Sequence, residues 1–191
     1  MRKACLSRET RETKVRVCIN LDGDGAADVK TPYRFFSHML EQLAFHGLLD
    51  LEVEAEGDLA HHVIEDVGIV LGRALRKALE SAGNIERFGS AVVPMDDALV
   101  LVAVDLVSRP YAEISLDVSC ERVEDVAVAD IVHFLESFAY NGLFNLHVRK
   151  LAGVNAHHVV EAAFKGLALA LRNAVRQWSS SEGVRSTKGV L

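Results

Sequence analysis

From Lys14 to Leu21 the chain alternates, with Val15, Val17, Ile19 and Leu21 on one face and Lys14, Arg16, Cys18 and Asn20 on the other. Period-two alternation predicts a half-buried strand. The pattern returns where Leu49, Leu51, Val53 and Ala55 interleave with Asp50, Glu52, Glu54 and Glu56, predicting a strand with an acidic outer face. Between the two, Asp22-Gly23-Asp24-Gly25 reads as a turn. Pro32 fits a helix start, and the spacing predicts a helix from about Tyr33 to Phe45 that stops at Gly47. After Gly57-Asp58 an apolar run through Val67, Val70, Leu71, Ala74 and Leu75 predicts a longer helix ending near Gly83. Before the first strand, Arg8 to Thr13 is polar and charged.

The second half repeats this plan. Pro94 and Asp96-Asp97 break the chain before an apolar strand run, Ala98 to Leu106. Arg109-Pro110 is a turn and Tyr111 to Val118 alternates again. A helix from about Val128 to Tyr140 stops at Gly142, Leu143 to Leu151 is a strand, and a last helix runs to about Trp178. His38 matches His133 at an offset of 95 (133 − 38), and His61 matches His157 at 96 (157 − 61). Two repeats are too few for a solenoid. The pattern predicts an α+β fold built from an internally duplicated unit. The halves fall at residues 1–85 and 86–178, one compact domain with a tail at 179–191.

Composition narrows the class. Half of the 191 residues are hydrophobic, enough for a sizeable core, and the net charge is −6. That charge argues against broad nucleic-acid binding, which needs a basic face. No apolar run has the length of a transmembrane helix, and the N-terminus does not read as a signal peptide. Cys5, Cys18 and Cys120 lack C-x-x-C spacing and read as reduced thiols, with Cys18 a packing residue, in a cytoplasmic protein.

Candidate chemistry sits at the two long helices. Each opens on His-His-x-x-Glu: His61-His62-Val63-Ile64-Glu65 and His157-His158-Val159-Val160-Glu161. Positions i and i+4 share a helix face, so His61 sits over Glu65 and His157 over Glu161. His62 and His158 point about 100° away. One pentad alone is more simply a solvated helix start with Glu favoured by the dipole. Two matched copies favour metal ligation. His38 and His133 add a matched pair, each with a carboxylate three residues on, Glu41 and Glu136. Imidazole with carboxylate suits Zn, Mn or Fe. Symmetry suggests one centre of His61, Glu65, His133 and His158, and another of His38, His62, His157 and Glu161. Arg87, Arg109, Lys165, Arg185 and Lys188 would form an anion pocket if they converged, and Ser186-Thr187-Lys188-Gly189 could close over a phosphate.

These residues together resemble the imidazoleglycerol-phosphate dehydratase family of histidine biosynthesis over nearly the whole chain. The matching stretches include Arg8-x-Thr10-x-Glu12-Thr13, His38-Met39-Leu40 with Gln42 and His46-Gly47, both pentads, Arg87-Phe88-Gly89, Pro94-Met95-Asp96, Arg109-Pro110-Tyr111, Phe164-Lys165 and Ser186-Thr187-Lys188-Gly189. The resemblance implies a duplicated four-stranded mixed sheet with two helices on one face, similar to ribosomal protein S5 domain 2. It implies a 24-subunit homo-oligomer with two Mn2+ ions per active site between subunits. It implies dehydration of imidazole glycerol phosphate to imidazole acetol phosphate, a hydro-lyase reaction on a phosphorylated imidazole. Glu12 matches the family's acid/base glutamate. Arg87, Arg109, Lys165, Ser186 and Lys188 match its phosphate-binding positions, and Gln42 a substrate-contacting one. The chain departs from the family pattern beside the ligands: Leu59-Ala60 replaces a longer segment ending in two aspartates, Ser37 an Asp, and Val63 a Thr. Those positions neighbour metal ligands and tune affinity. A dinuclear metal phosphohydrolase and a metal-glued, non-catalytic assembly protein remain alternatives.

Overall fold

A computed structural model describes residues 2–178. In the first half, β1 (Lys3–Glu9), β2 (Thr13–Asn20), β3 (Ala27–Lys30) and β4 (Asp50–Gly57) form a sheet in the order β1-β2-β4-β3. Helix α1 (Arg34–Gly47) precedes β4 and α2 (Ala60–Leu79) follows it. The second half returns the arrangement with β5 (Phe88–Met95), β6 (Ala98–Asp105), β7 (Tyr111–Ser115) and β10 (Asn145–Ala152), ordered β5-β6-β10-β7. Helices α3 (Val128–Gly142) and α4 (Ala156–Ala174) flank β10. Each sheet is mixed: β3 runs parallel to β4 and β7 parallel to β10, while the other pairs are antiparallel. Between β7 and α3 stands a small hairpin of β8 (Arg122–Val123) and β9 (Val126–Ala127) with no counterpart in the first half.

The inner faces follow the alternation in the sequence. Val15, Val17 and Ile19 of β2 and Leu51 and Val53 of β4 are buried, as are Val100, Val102 and Val104 of β6. Helices α1 and α2 cover the first sheet, α3 and α4 the second, and the pairs meet as α2 on α3 and α1 on α4. One continuous apolar core joins both halves. The contact between pairs is close because glycines line it: a Cβ on Gly72 of α2 would lie 2.6 Å from the Phe138 carbonyl and 2.7 Å from Gly142 N of α3. This alters the sequence expectation for helix ends. Gly47 and Gly142 close α1 and α3, yet the left-handed residues are Leu48 (φ 50°) and Leu143 (φ 55°). At Gly142 close packing, and not a turn, calls for glycine. The long helices are also shorter than their apolar runs suggested, ending at Leu79 and Ala174. No described helix is long and apolar enough to cross a membrane.

The cysteine expectation is corrected. Cys5 and Cys18 form a disulfide, and Cys120 is the free, exposed thiol among the described residues. The cause is β1, which the polar reading of the N-terminus missed. Its antiparallel register sets Cys5 directly opposite Cys18 on the outer sheet face. Thiol titration of the unfolded protein is expected to find one reactive thiol per chain before reduction and three after it; three before reduction would contradict the bridge. The Asp22–Gly25 turn holds as read. Its amides at Asp24 and Ala26 donate to Asp50, 3.0 and 3.2 Å away. The Asn20 amide, then these backbone donors, hold the Asp50 carboxyl below its ordinary range.

Candidate metal centre

Both pentads open helices as the spacing predicted: α2 begins at Ala60 and α4 at Ala156. Asn155 caps α4, its Oδ1 accepting from the amides of His157 (2.9 Å) and His158 (3.4 Å). One turn on, each first histidine meets its own glutamate. His61 Nε2 is 3.9 Å from Glu65 and His157 Nε2 is 3.1 Å from Glu161.

The helix pairing then brings in a third group. His133 of α3 reaches Glu65 of α2 at 3.3 Å, and His38 of α1 reaches Glu161 of α4 at 3.9 Å. The rings of His61 and His133 stack at 5.0 Å. Ligand atoms of His61, Glu65 and His133 all lie within 4.8 Å of one another. Two atoms bound to one ion at about 2.1 Å stand roughly 3–4 Å apart, so this spacing and this donor set fit a divalent transition ion. The second cluster, His38, His157 and Glu161, has the same donors. Both groupings agree with the assignment made from symmetry. His62 and His158, the remaining members of the two proposed centres, stand apart from both clusters within the protomer. The His62 ring faces Asp58 at 2.8 Å and Glu12 at 3.9 Å, and His158 faces Asp97 at 2.7 Å and Asp96 at 3.4 Å.

A regularity only partly visible in the sequence emerges at the far side of each ring. Nδ1 of His61 meets Asp130 at 2.9 Å, that of His62 meets Asp58 at 2.8 Å, that of His157 meets Glu124 at 3.0 Å and that of His158 meets Asp97 at 2.7 Å. His38 and His133 have Glu41 and Glu136 at 3.6 and 3.7 Å. A carboxylate at Nδ1 leaves Nε2 to face a metal and fixes the tautomer for it. Asp58, four residues before His62, and Glu41 and Glu136, three residues after His38 and His133, are local partners, whereas Asp130, Glu124 and Asp97 come from distant segments. Hydrogen bonding to Asp58 raises the His62 pKa above its ordinary value, against burial. Amides of Val154 and Asn155, with His158, hold Asp97 far below the usual carboxylate range.

The clusters differ in their surroundings. Glu161 is buried and its other oxygen takes Lys165 at 2.7 Å. Burial works to raise the Glu161 carboxyl, but the Lys165 bond and charge, with His157 and His38, outweigh it and set it below its ordinary value. Gln42 lies 3.5 Å from His38 and 3.1 Å from His46. Burial, then the Lys165 charge, lowers the His46 pKa. Glu12 stands in the β1–β2 turn, exposed. Its backbone is fixed by Thr10 Oγ1 accepting from its amide at 3.1 Å and by its carbonyl accepting from Asp58 N at 3.0 Å.

The expected phosphate-binding cations do not converge within one protomer. Lys165 approaches Met95 at one end of β5, whereas Arg87 stands just before the other end, paired with Asp105 at 2.5 and 2.9 Å. Seven strand steps separate the ends, roughly 23 Å. Arg109, exposed, is at the Arg87 end, since its carbonyl accepts from Asn145, opposite Asp105. Ser186 and Lys188 lie outside the described residues.

Comparison with known proteins bears on the same residues. The family model described as imidazoleglycerol-phosphate dehydratase matches residues 31–171. The imidazoleglycerol-phosphate dehydratase of Acetivibrio thermocellus is 47% identical over 193 residues, spanning 100% of this chain and 99% of its own. That of Metallosphaera sedula is 49% identical over 187 residues, 96% of each chain. The crystal structure of the Pyrococcus furiosus enzyme superposes with a TM-score of 0.86 at 44% identity, over 97% of this chain and all of that one. The Staphylococcus aureus structure gives 0.85 at 31% identity, over 92% and 99%.

Proposed function

Because the chain belongs to the imidazoleglycerol-phosphate dehydratase family, whose members are hydro-lyases, we propose that it dehydrates imidazole glycerol phosphate to imidazole acetol phosphate with two manganese ions per active site. The single observation that carries the metal part is the matched pair of clusters, His61–Glu65–His133 and His157–Glu161–His38, with carboxylates behind every ring.

Bound divalent cations would supply Lewis acidity to the imidazole ring of the substrate. His38, His61, His133 and His157 present Nε2, and Glu65 and Glu161 an oxygen, to hold them. His62 and His158 lie about 100° round their helices from these clusters, which supports completion of each centre by a neighbouring copy; the 24-subunit homo-oligomer rests on the family resemblance. Glu12 takes the proton from the second carbon out from the ring and returns a proton as the hydroxyl on the carbon beside the ring leaves as water. The resulting enol becomes the ketone. Gln42 contacts the substrate, and Lys165, Arg87, Arg109, Ser186 and Lys188 hold its phosphate, the arginines coming from other copies since they stand far from Lys165 here. The biosynthetic relatives support a cytoplasmic location, while the Cys5–Cys18 bridge removes the reduced-thiol argument for it.

The test is an assay of chelator-treated protein on imidazole glycerol phosphate with and without added manganese. Ketone is expected only with the metal. Free phosphate without ketone would turn the site into a phosphohydrolase, and no product in either arm would overturn the dehydratase reading.

A further inference from the structure

The two clusters are oriented by different kinds of element. Asp130, which meets His61, stands in the first turn of α3, the helix that itself carries His133. Glu124, which meets His157, stands in the two-residue turn of the β8–β9 hairpin. Its backbone has φ +49°, the left-handed region where a residue larger than glycine, Asn or Asp is uncommon. An unfavourable backbone occupied by a long acidic side chain points to a task for that side chain.

The rest of the hairpin shows what it spans. Val123 and Val126 are buried and seat it in the core, and Arg122 Nη2 donates to the Asp125 carbonyl at 2.8 Å. Asp125 accepts from the α1 amides of Arg34 and Phe35, 2.6 and 3.1 Å away, at a helix start that has no cap from its own side chain. The Phe35 ring lies against His157 at 5.0 Å. Adjacent acids of one turn thus hold α1, which carries His38, and the ring of His157 on α4.

We propose that Glu124 is a positioning residue for the cluster of His38, His157 and Glu161, aiming His157 Nε2 at the metal through its Nδ1, while Asp130 does so independently for His61. The inference rests on the dimetal reading above. It assigns to the one hairpin that breaks the internal repeat the orientation of one cluster and not the other.

The test is equilibrium binding of Mn2+ to metal-free protein, followed by electron paramagnetic resonance, with thermal melting of the metal-free form alongside. The wild-type chain is expected to take up two ions. Glu124→Gly relieves the left-handed backbone, so the metal-free protein should melt no lower than wild type. One of its two ions should bind about ten- to a hundred-fold more weakly. Glu124→Gln, which keeps an acceptor for Nδ1–H, should recover part of that loss, and Asp130→Asn should weaken the other ion. A Glu124→Gly chain that binds both ions like wild type overturns the positioning role alone. A wild-type chain that binds no manganese overturns the reading beneath it.

Discussion

Replacing Glu12 by glutamine is expected to lower kcat by about 10²–10⁴-fold, a barrier increase of roughly 3–5 kcal/mol, with metal content and melting temperature unchanged. The separation of these readouts follows from where Glu12 stands. The turn that carries it is fixed without its side chain: Thr10 Oγ1 accepts from the amides of Glu12 and Thr13, at 3.1 and 3.0 Å. Below the turn, Asp66 gathers Thr13 and Arg8, the latter at 2.8 Å. The Glu12 carboxylate is 60% exposed and, among the described residues, reaches only His62, at 3.9 Å, a ring already held by Asp58 at 2.8 Å. Glutamine keeps the shape and removes the base that the proposed mechanism requires. Steady-state kinetics beside metal analysis checks this. Near-normal turnover would remove Glu12 from the mechanism, and a lowered melting point would make it a structural residue.

Gly89→Ala is the second large effect, and it acts on the fold. The glycine lies on β5 beneath α4, where an added Cβ would stand 1.8 Å from the Ala170 carbonyl oxygen and 3.0 Å from Ala174 N. Those are backbone atoms in a helix, so rotating a side chain cannot relieve the overlap, and α4 must lift from the sheet. Overpacking of a well-filled core costs about 1–3 kcal/mol and occasionally more, and backbone overlap puts this case at the upper end. For a chain of this size about 3 kcal/mol lowers the melting temperature by roughly 6–12 °C. Since α4 carries His157, His158 and Glu161, metal retention should fall as well. Melting at matched protein concentration, needed for any chain whose copies associate, is the measurement; an unchanged midpoint would mean that α4 and β5 are not in this contact.

How far the sequence could be read depended on the range of the interactions that fix each part. Periodic segments were legible: β2, β4, β6, β7, β10 and all four helices, because an alternating or amphipathic face leaves its period in the residues. The missed strands are short or at sheet margins. β1 and β5 are edge strands, β5 contains Pro94, and β3 has four residues. An edge strand needs less apolar patterning and accepts proline where no partner awaits the missing N–H. Missing β1 carried the cysteine error with it, since thirteen residues of sequence separation become direct opposition only through the β1–β2 register.

At the candidate metal centre, the sequence by itself offered the donors: two His-His-x-x-Glu pentads, two matched helix histidines, and, through i to i+4 spacing, which glutamate each first histidine faces. That much is helix geometry, a local property. Symmetry had grouped His133 with His61 and His38 with His157, and the tertiary structure brings those side chains together, because helix packing across the two halves makes those pairs. The tertiary structure alone supplied Asp130, Asp97 and Glu124, which lie 69, 61 and 33 residues from the rings they orient. A carboxylate that far away leaves no period and no motif; it becomes a partner when the chain between closes on the core.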